Sequence, residues 1–316
     1  YNTRDSAGYG HTPPNPKWPG GAKVAINFIL NYEEGGETCP LHGDPHSETY
    51  LTDMIGLEKS VAQDLLGTRH VNMESLYDYG SRAGFWRLYR MFTTKHVPCT
   101  VFAVGMALER NQQACKAMKD AGWEIASHGY RSLDYRGVDD LTQLEHIMRT
   151  VKVHEELIGR RPVGFFQGKP NESTRRLVCE AGGFLYDSDS YADDLPYWSL
   201  DTDQPHLIIP YSLTENDMRF VSPNGFHTGK EFYEYLKETL DALLEEGKEG
   251  RSKLMTIGLH CRIIGRPGRS TGLSKFMDYV KKLESELWVC TREELAKHWY
   301  DTHYPVGQGS GYQVPI

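Results

Sequence analysis

The side chain best placed for chemistry in this sequence is His128, which directly follows a strand-like segment at residues 121–127. The strand would fix the position of the imidazole, and the following loop would place it at the mouth of a sheet or barrel. Active sites of α/β folds lie there. An imidazole titrates near neutral pH and can therefore transfer protons. These features predict an active site around His128.

Four other strand-like runs also carry ionisable groups close to their ends. They are 24–30, followed by Glu33, Glu34 and Glu37; 163–167, preceded by Arg160 and Arg161; 184–186, followed by Asp187 and Asp189; and 254–259, followed by His260 and Arg262. In a parallel barrel the carboxyl ends of the strands share one face, so groups far apart in sequence can converge there. A turn or cap role is the commoner explanation for one such residue, but five together favour a common site.

The elements that would position these groups alternate between strand patterns and helix-period segments, which is typical of parallel β/α units. The residues 192–227 interrupt this alternation with several prolines and indicate a long insertion around one more strand at 206–211. We predict a single-domain α/β fold, an irregular (β/α) barrel of seven or eight strands. It would span residues 21–304, between an N-terminal arm at 1–20 and a C-terminal tail at 305–316.

Composition limits the classes of partner. The chain has 316 residues, a formal net charge of −8 and a pI near 5.9, which argues against nucleic acid or an anionic membrane as partner. No apolar run approaches the roughly 20 residues of a membrane span, and no signal-peptide pattern is visible. Six cysteines without CxxC spacing indicate reduced thiols, although the even count leaves disulfides open. We expect a cytoplasmic location, with secretion left open because the sequence begins at Tyr1.

In their order along the chain, these landmarks resemble the polysaccharide deacetylase superfamily, the carbohydrate esterase fold of chitin and peptidoglycan deacetylases. The resemblance rests on the acidic segment after the first strand and on four further sequence motifs: Ser127-His128-Gly129-Tyr130, Arg161-Pro162-Val163-Gly164-Phe165, Asp187-Ser188-Asp189 and Gly258-Leu259-His260. Longer sequence motifs indicate the branch within the superfamily, because they resemble those of metal-independent allantoinases. These motifs lie at residues 31–37, 73–77, 81–84 and 258–267. The resemblance implies a hydrolase of carbon–nitrogen bonds other than peptide bonds, and a homotetramer.

The same resemblance raises the question of a metal. In the deacetylases, a carboxylate after the first strand and two histidines spaced His-x-x-x-His hold a divalent ion, commonly zinc. Here the position four residues after His128 is Ser132, which is a poor zinc ligand. The resemblance to the metal-independent branch therefore favours no cofactor. A zinc site built from Glu33, His128 and either Asp134 or His42 stays open, since loops can supply ligands.

Without a metal, side chains alone must activate water. Glu33 or Glu34 would act as general base, because burial raises the pKa of a carboxyl group toward neutrality. His128 and His260 would be the general acid and the electrophilic partner. Asp189 would orient one of these histidines, as a buried aspartate fixes a tautomer.

Arg161 is the remaining candidate beside this group. It would pair with Asp189 or with the developing oxyanion. A structural salt bridge that closes the barrel explains Arg161 equally well.

Substrate contacts would come from the mouth of the barrel. Arg131, Asp134, Trp198 and Arg262 supply hydrogen-bonding groups and a flat apolar wall, which suit either a small ureido ring or an N-acetyl sugar. Ring opening and deacetylation share a tetrahedral intermediate, so the central residues do not separate them. The long insertions at 33–72 and 192–227 indicate a covered site and favour allantoinase-type opening of a cyclic ureide.

Two alternatives remain beside that reaction. The first is N-deacetylation of chitin oligosaccharides, which the aromatic-rich stretch 186–198 would suit if it formed an open trough. The second is an inactive carbohydrate-binding relative whose lost ligands mark lost activity. The Gly-rich and Pro-rich N-terminal arm would either wrap a neighbouring subunit of a homo-oligomer or lie on its own barrel.

Overall fold

The computed structural model describes residues 4–54 and 66–305. Its strands are β1 Val24–Tyr32, β2 Thr100–Ala103, β3 Glu124–Ser127, β4 Gly164–Phe165, β5 Tyr186–Asp187, β6 Tyr197–Ser199, β7 His206–Ile208, β8 Lys253–His260 and β9 Leu287–Val289. They form one curved sheet in the order β6-β7-β5-β4-β3-β2-β1-β8, and β9 also pairs with β1. Every pairing is parallel except that of β6 with β7. The predicted α/β fold of the deacetylase type is confirmed.

Most of the helices pack on the outer face of this sheet, whereas the last of them packs against the inner layer. They are α1 Val71–Tyr79, α2 Phe85–Lys95, α3 Gly105–Arg110, α4 Gln112–Asp120, α5 Asp140–Leu157, α6 Thr174–Ala181, α7 Gly229–Lys248, α8 Pro267–Lys282 and α9 Arg292–His303. A π-helical turn at Gly80–Gly84 joins α1 to α2, and short 3-10 helices occupy Pro19–Gly21, Pro40–His42 and Asp217–Val221. Among the described residues, no helix is both long and apolar enough to cross a membrane.

Strand β1 lies at the centre of the sheet. Its side chains alternate between two layers of the hydrophobic core. The residues Val24, Ile26, Phe28, Leu30 and Tyr32 belong to the layer packed under the helices. Ala25 and Ile29 belong to the inner layer, which contains Trp299. Because successive side chains of a strand point to opposite faces, the residues after β1 are expected to continue this alternation, with Glu33 on the inner side and Glu34 on the helix side.

The N-terminal arm contacts the barrel of its own chain over the residues that the structure describes. The Tyr9 hydroxyl donates a hydrogen bond to Pro196 O (2.7 Å), and the Trp18 indole donates to Lys253 O (3.1 Å). The Trp18 ring also packs against Trp288 and Trp299. Of the expected C-terminal tail at 305–316, only Pro305 is among the described residues. All six cysteines are unpaired.

Candidate active site

Three side chains that are 95 or more residues apart in the sequence meet at the carboxyl ends of β1, β3 and β8. The Glu33 Oε1 atom lies 3.3 Å from His128 Nε2 and 3.7 Å from His260 Nε2. All three residues are buried. The spatial convergence that the strand-end pattern predicted for these groups is therefore present in the structure.

The second nitrogen of each imidazole has a fixed partner. His128 Nδ1 lies 2.8 Å from the carbonyl oxygen of Phe166, and His260 Nδ1 lies 2.6 Å from Asp217 Oδ1. A carbonyl or carboxylate oxygen only accepts, so both Nδ1 atoms must carry protons. The two Nε2 atoms, which point toward Glu33, are consequently the sites where protons can be gained or lost.

Asp217 is the functional residue that sequence reasoning missed. It is fully buried and accepts hydrogen bonds from the backbone N–H groups of His260 (2.6 Å) and Ile264 (3.1 Å), in addition to the imidazole. Burial lowers the pKa of His260, but the Asp217 charge and hydrogen bond outweigh it and raise that pKa above its ordinary value. Asp217 lies inside the 192–227 insertion, away from any strand end, and its neighbour Asn216 forms a parallel bridge with Gly258 of β8.

Arg262 supplies the positive charge of the site. Its guanidinium donates a hydrogen bond of 2.7 Å to Glu33 Oε2 and lies 4.3 Å from the centre of the Tyr77 ring. Burial would raise the pKa of Glu33, but Arg262, and then His128 and His260, hold it well below its ordinary value. Glu33 is thus an ionised, weakly basic carboxylate, which does not suit the general-base role expected for it.

Glu34 lies behind this cluster, on the helix side. Its Oε2 atom accepts from the backbone N–H of Glu33 (3.2 Å), while Oε1 is buried without a hydrogen-bond partner. The Oε1 atom packs so closely on Gly80 that a Cβ there would approach it to 2.2 Å. Burial is the main cause that raises the pKa of Glu34 to about 7. The value suits a base, but the position on the opposite side of β1 does not.

Asp189 and Arg161 do not take the positions that we expected. Both Asp189 carboxylate oxygens accept backbone N–H groups, from Gln167 (2.8 Å) and Gly168 (2.7 Å), rather than a histidine. Desolvation, and then the Asp187 charge, raise the pKa of Asp189 to about 7. The Arg161 guanidinium donates to two carbonyls at the end of α6, so it neither pairs with Asp189 nor forms a barrel-closing salt bridge.

The expected substrate contacts are also dispersed, apart from Arg262. Arg131 forms an ion pair with Asp44 and lies 3.3 Å from Glu37 O. Asp134 binds Arg136 with both carboxylate oxygens at the surface. The Trp198 indole donates to His303 O (2.7 Å) and packs edge-on against aromatic rings at the C-terminal end of α9. Of these three, Arg131 lies nearest the acidic segment after β1.

The residues present do not fit the divalent ion that the deacetylase fold implies. Residue 132 is a serine, and its backbone N–H is bonded to Gly36 O. The carboxylate that faces the Nε2 atoms of both histidines, Glu33, already binds the Arg262 guanidinium, whose positive charge opposes a second cation there. Asp134, suggested as a loop ligand, pairs with Arg136 instead, and His42 binds Arg110. Among the residues described, no group of three or more His, Cys, Asp or Glu side chains is arranged to hold a metal ion.

Comparisons with known proteins agree with this architecture. The family profile described as polysaccharide deacetylase matches residues 70–182. A Schizosaccharomyces pombe protein named as a polysaccharide deacetylase is 40% identical over 96% of this chain and 98% of its own length. Among solved structures, PuuE allantoinase has 49% identity and a TM-score of 0.90, with 95% of this chain and 98% of that chain covered.

A second solved structure comes from Pseudomonas aeruginosa PAO1 and is also named as a polysaccharide deacetylase. It has 51% identity and a TM-score of 0.90, over 95% of this chain and 98% of that chain. Together with the cluster of Glu33, His128 and His260, these relationships make the protein a hydrolase of carbon–nitrogen bonds other than peptide bonds. The chain belongs to the polysaccharide deacetylase family.

Proposed function

We propose that this protein opens the ring of a cyclic ureide by metal-independent hydrolysis, as an allantoinase does. The observation that carries the proposal is the arrangement of two imidazoles whose Nδ1 atoms are fixed and whose Nε2 atoms converge on Glu33, with Arg262 bound to that carboxylate. The 49% identity with PuuE allantoinase supports this choice of substrate class.

In this mechanism His260 is the general base. Asp217 holds the Nδ1–H and leaves Nε2 to accept a proton from water, which follows the logic of an aspartate–histidine pair. The 3.7 Å between His260 Nε2 and Glu33 Oε1 is too long for a direct hydrogen bond. The resulting hydroxide forms a bond to the ring carbonyl carbon, and the His260 imidazolium later gives its proton to the departing nitrogen as the carbon–nitrogen bond breaks.

His128 is the electrophilic partner. Its Nε2 atom faces the ionised Glu33 oxygen at 3.3 Å, so this contact is favourable when Nε2 carries a proton. A protonated Nε2 can donate to the oxyanion that forms when water attacks the carbonyl. Arg262 keeps Glu33 ionised, so that the carboxylate can accept a hydrogen bond from a protonated Nε2 of His128. Fixed charges in a buried site can take over the role that a metal has in related enzymes.

N-deacetylation of chitin oligosaccharides is the second candidate, favoured by a wide groove of about 1200 Å³ whose lining includes Tyr191, Tyr197 and Trp198. Sugar rings stack on such aromatic platforms. However, the lining of this groove contains neither His128 nor His260, and the Trp198 indole is already bonded to His303 O. The ureide reaction is therefore preferred, and the inactive carbohydrate-binding relative is the remaining alternative.

The test is a substrate panel with matched variants. Wild-type protein, His260→Asn, and the control His227→Asn, which changes an exposed histidine, would each be assayed for allantoin opening and for acetate release from chitin oligomers. We expect allantoin opening in wild type and control and a loss of roughly 10²-fold or more in His260→Asn. Acetate release alone would favour deacetylation, and binding of chitin oligomers without either reaction would favour the carbohydrate-binding alternative.

A further inference from the structure

The loop after β4 holds His128 from two sides. The carbonyl oxygen of Phe166 accepts the Nδ1–H of His128, and the Phe166 ring stacks on the imidazole with 5.1 Å between ring centres and 24° between planes. A Cβ added to Gly168 would lie 3.7 Å from His128 Cε1. The geometry of this loop therefore determines both the tautomer and the orientation of His128.

The loop itself is held by Asp189, which comes from the segment after β5. One carboxylate oxygen accepts the N–H of Gln167 and the other accepts the N–H of Gly168, at 2.8 and 2.7 Å. These are the two peptide groups directly after Phe166. Asp189 is in turn fixed by its own backbone, whose N–H donates to Asp187 Oδ1 (3.0 Å). A carboxylate that accepts two backbone N–H groups is a strong and directional anchor.

We propose that Asp189 is a positioning residue for His128, acting through the loop at 166–168 instead of through direct contact. The carboxylate fixes the two amides, the amides fix the Phe166 carbonyl, and that carbonyl keeps the proton on Nδ1 so that Nε2 faces the reacting groups. The proposal deepens the proposed function, because it assumes that His128 Nε2 takes part in the reaction.

The first measurement does not depend on activity. Nitrogen chemical shifts of ¹⁵N-histidine-labelled protein report which imidazole nitrogen carries the proton. In wild type we expect His128 protonated at Nδ1. In Asp189→Ala we expect the Nδ1 signal of His128 to shift, because its proton no longer has a fixed acceptor, and in Asp189→Asn, which keeps one acceptor oxygen, we expect a smaller shift. Asp201→Asn, which changes an exposed aspartate of the 192–227 insertion, is the matched control and should leave the signal unchanged.

The second measurement is steady-state ureide opening. Asp189→Ala should lower kcat by roughly 10- to 100-fold with a small change in KM, as is typical when an outer partner of an active-site histidine is lost, and Asp189→Asn should recover part of it. Unchanged His128 signals and kcat in a folded Asp189→Ala would overturn the proposal; if that variant does not fold, wild-type signals together with wild-type kcat in Asp189→Asn would do so. Failure of wild type to open any ureide would overturn the proposed function. The nitrogen chemical shifts would still test whether Asp189 positions His128, because they do not depend on activity.

Discussion

At the scale of single residues, the site depends on how each ionisable group is paired. Glu33 and Glu34 are adjacent in sequence and both buried, yet their pKa values move in opposite directions. Glu33 faces Arg262 and two histidines, whereas Glu34 lacks a partner for one of its oxygens. A carboxylate is stabilised by neighbouring positive charge and destabilised by burial alone. The two residues therefore have different chemistry.

The first prediction concerns Asp217. Replacing Asp217 with Asn should lower kcat for ureide opening by roughly 10²- to 10⁴-fold, because the variant no longer holds His260 in the productive tautomer. Asp217 also raises the pKa of His260. A base must be neutral to accept a proton, so loss of Asp217 should move the acidic limb of the pH profile of kcat/KM to lower pH.

The control for this variant is Asp241→Asn, which removes a surface ion pair with Lys237. It should leave both the rate and the pH profile as in wild type. An Asp217→Asn variant that is folded and retains the wild-type rate and profile would exclude the assigned role of His260 as base.

The second prediction concerns stability and the Glu34 carboxyl group. Its pKa is about 7 in the folded protein against 4.5 ordinarily, so the folded state favours the protonated form. The stability this provides is fully present below the ordinary pKa and is lost as pH rises through about 7. Between about pH 5 and about pH 8, wild type should therefore lose roughly 2–3 kcal/mol more unfolding free energy than Glu34→Gln. Urea unfolding at both pH values measures this, and parallel losses in the two proteins would contradict the burial assigned to Glu34.

A site residue could be predicted from the sequence where it directly follows a strand. Glu33, His128 and His260 could be brought together because parallel strands end at one face. Asp217 could not be found in this way, because it reaches His260 from an irregular insertion. Asp189 was expected to touch a histidine, and the sequence does not show that the peptide groups of 167 and 168 lie between them.

At the scale of elements, the sheet has a seam between β7 and β8, which are not neighbours in the strand order. The fully buried Arg292, at the start of α9, spans this seam. Its guanidinium donates to Ile209 O (2.8 Å) and Pro210 O (2.9 Å) on one side and to the Thr256 hydroxyl (2.9 Å) on the other. A buried side chain with several donors can thus replace strand pairing where the barrel is open.

The third prediction tests that function of Arg292. Arg292→Met should reduce the unfolding free energy by roughly 3 kcal/mol or more, because the buried carbonyls and hydroxyl lose their donors. Denaturant unfolding measures the change. Arg176→Met is the matched control; Arg176 forms half-exposed ion pairs with Asp140 and Glu180, so its loss should cost about 1 kcal/mol or less. Equal effects of the two substitutions would show that Arg292 does not hold the seam.

The alternation of strand and helix patterns predicted the α/β fold with its parallel strands, but not the antiparallel edge strand β6. The insertion at 192–227 was recognised from its prolines, and it does contain the strand β7. Its tertiary path could not be predicted, because long irregular segments are placed by contacts with distant residues. The bridge between Asn216 and Gly258 is one such contact.

At the scale of the whole molecule, the chain keeps the fold of the deacetylase family while its central charges are balanced internally. Glu33 is neutralised by Arg262 and faces two imidazoles, so the buried cluster contains its own cations. We infer that this arrangement performs hydrolysis by proton transfer between side chains and water, on a small substrate.

The most direct test of this claim is the rate of allantoin opening by protein that has been stripped with a chelator and verified as metal-free by elemental analysis. We expect the same kcat before and after stripping, and no increase when zinc is added. Loss of the rate on stripping with recovery on addition of zinc would contradict it, and so would a metal-free protein that leaves allantoin intact and releases acetate from chitin oligomers.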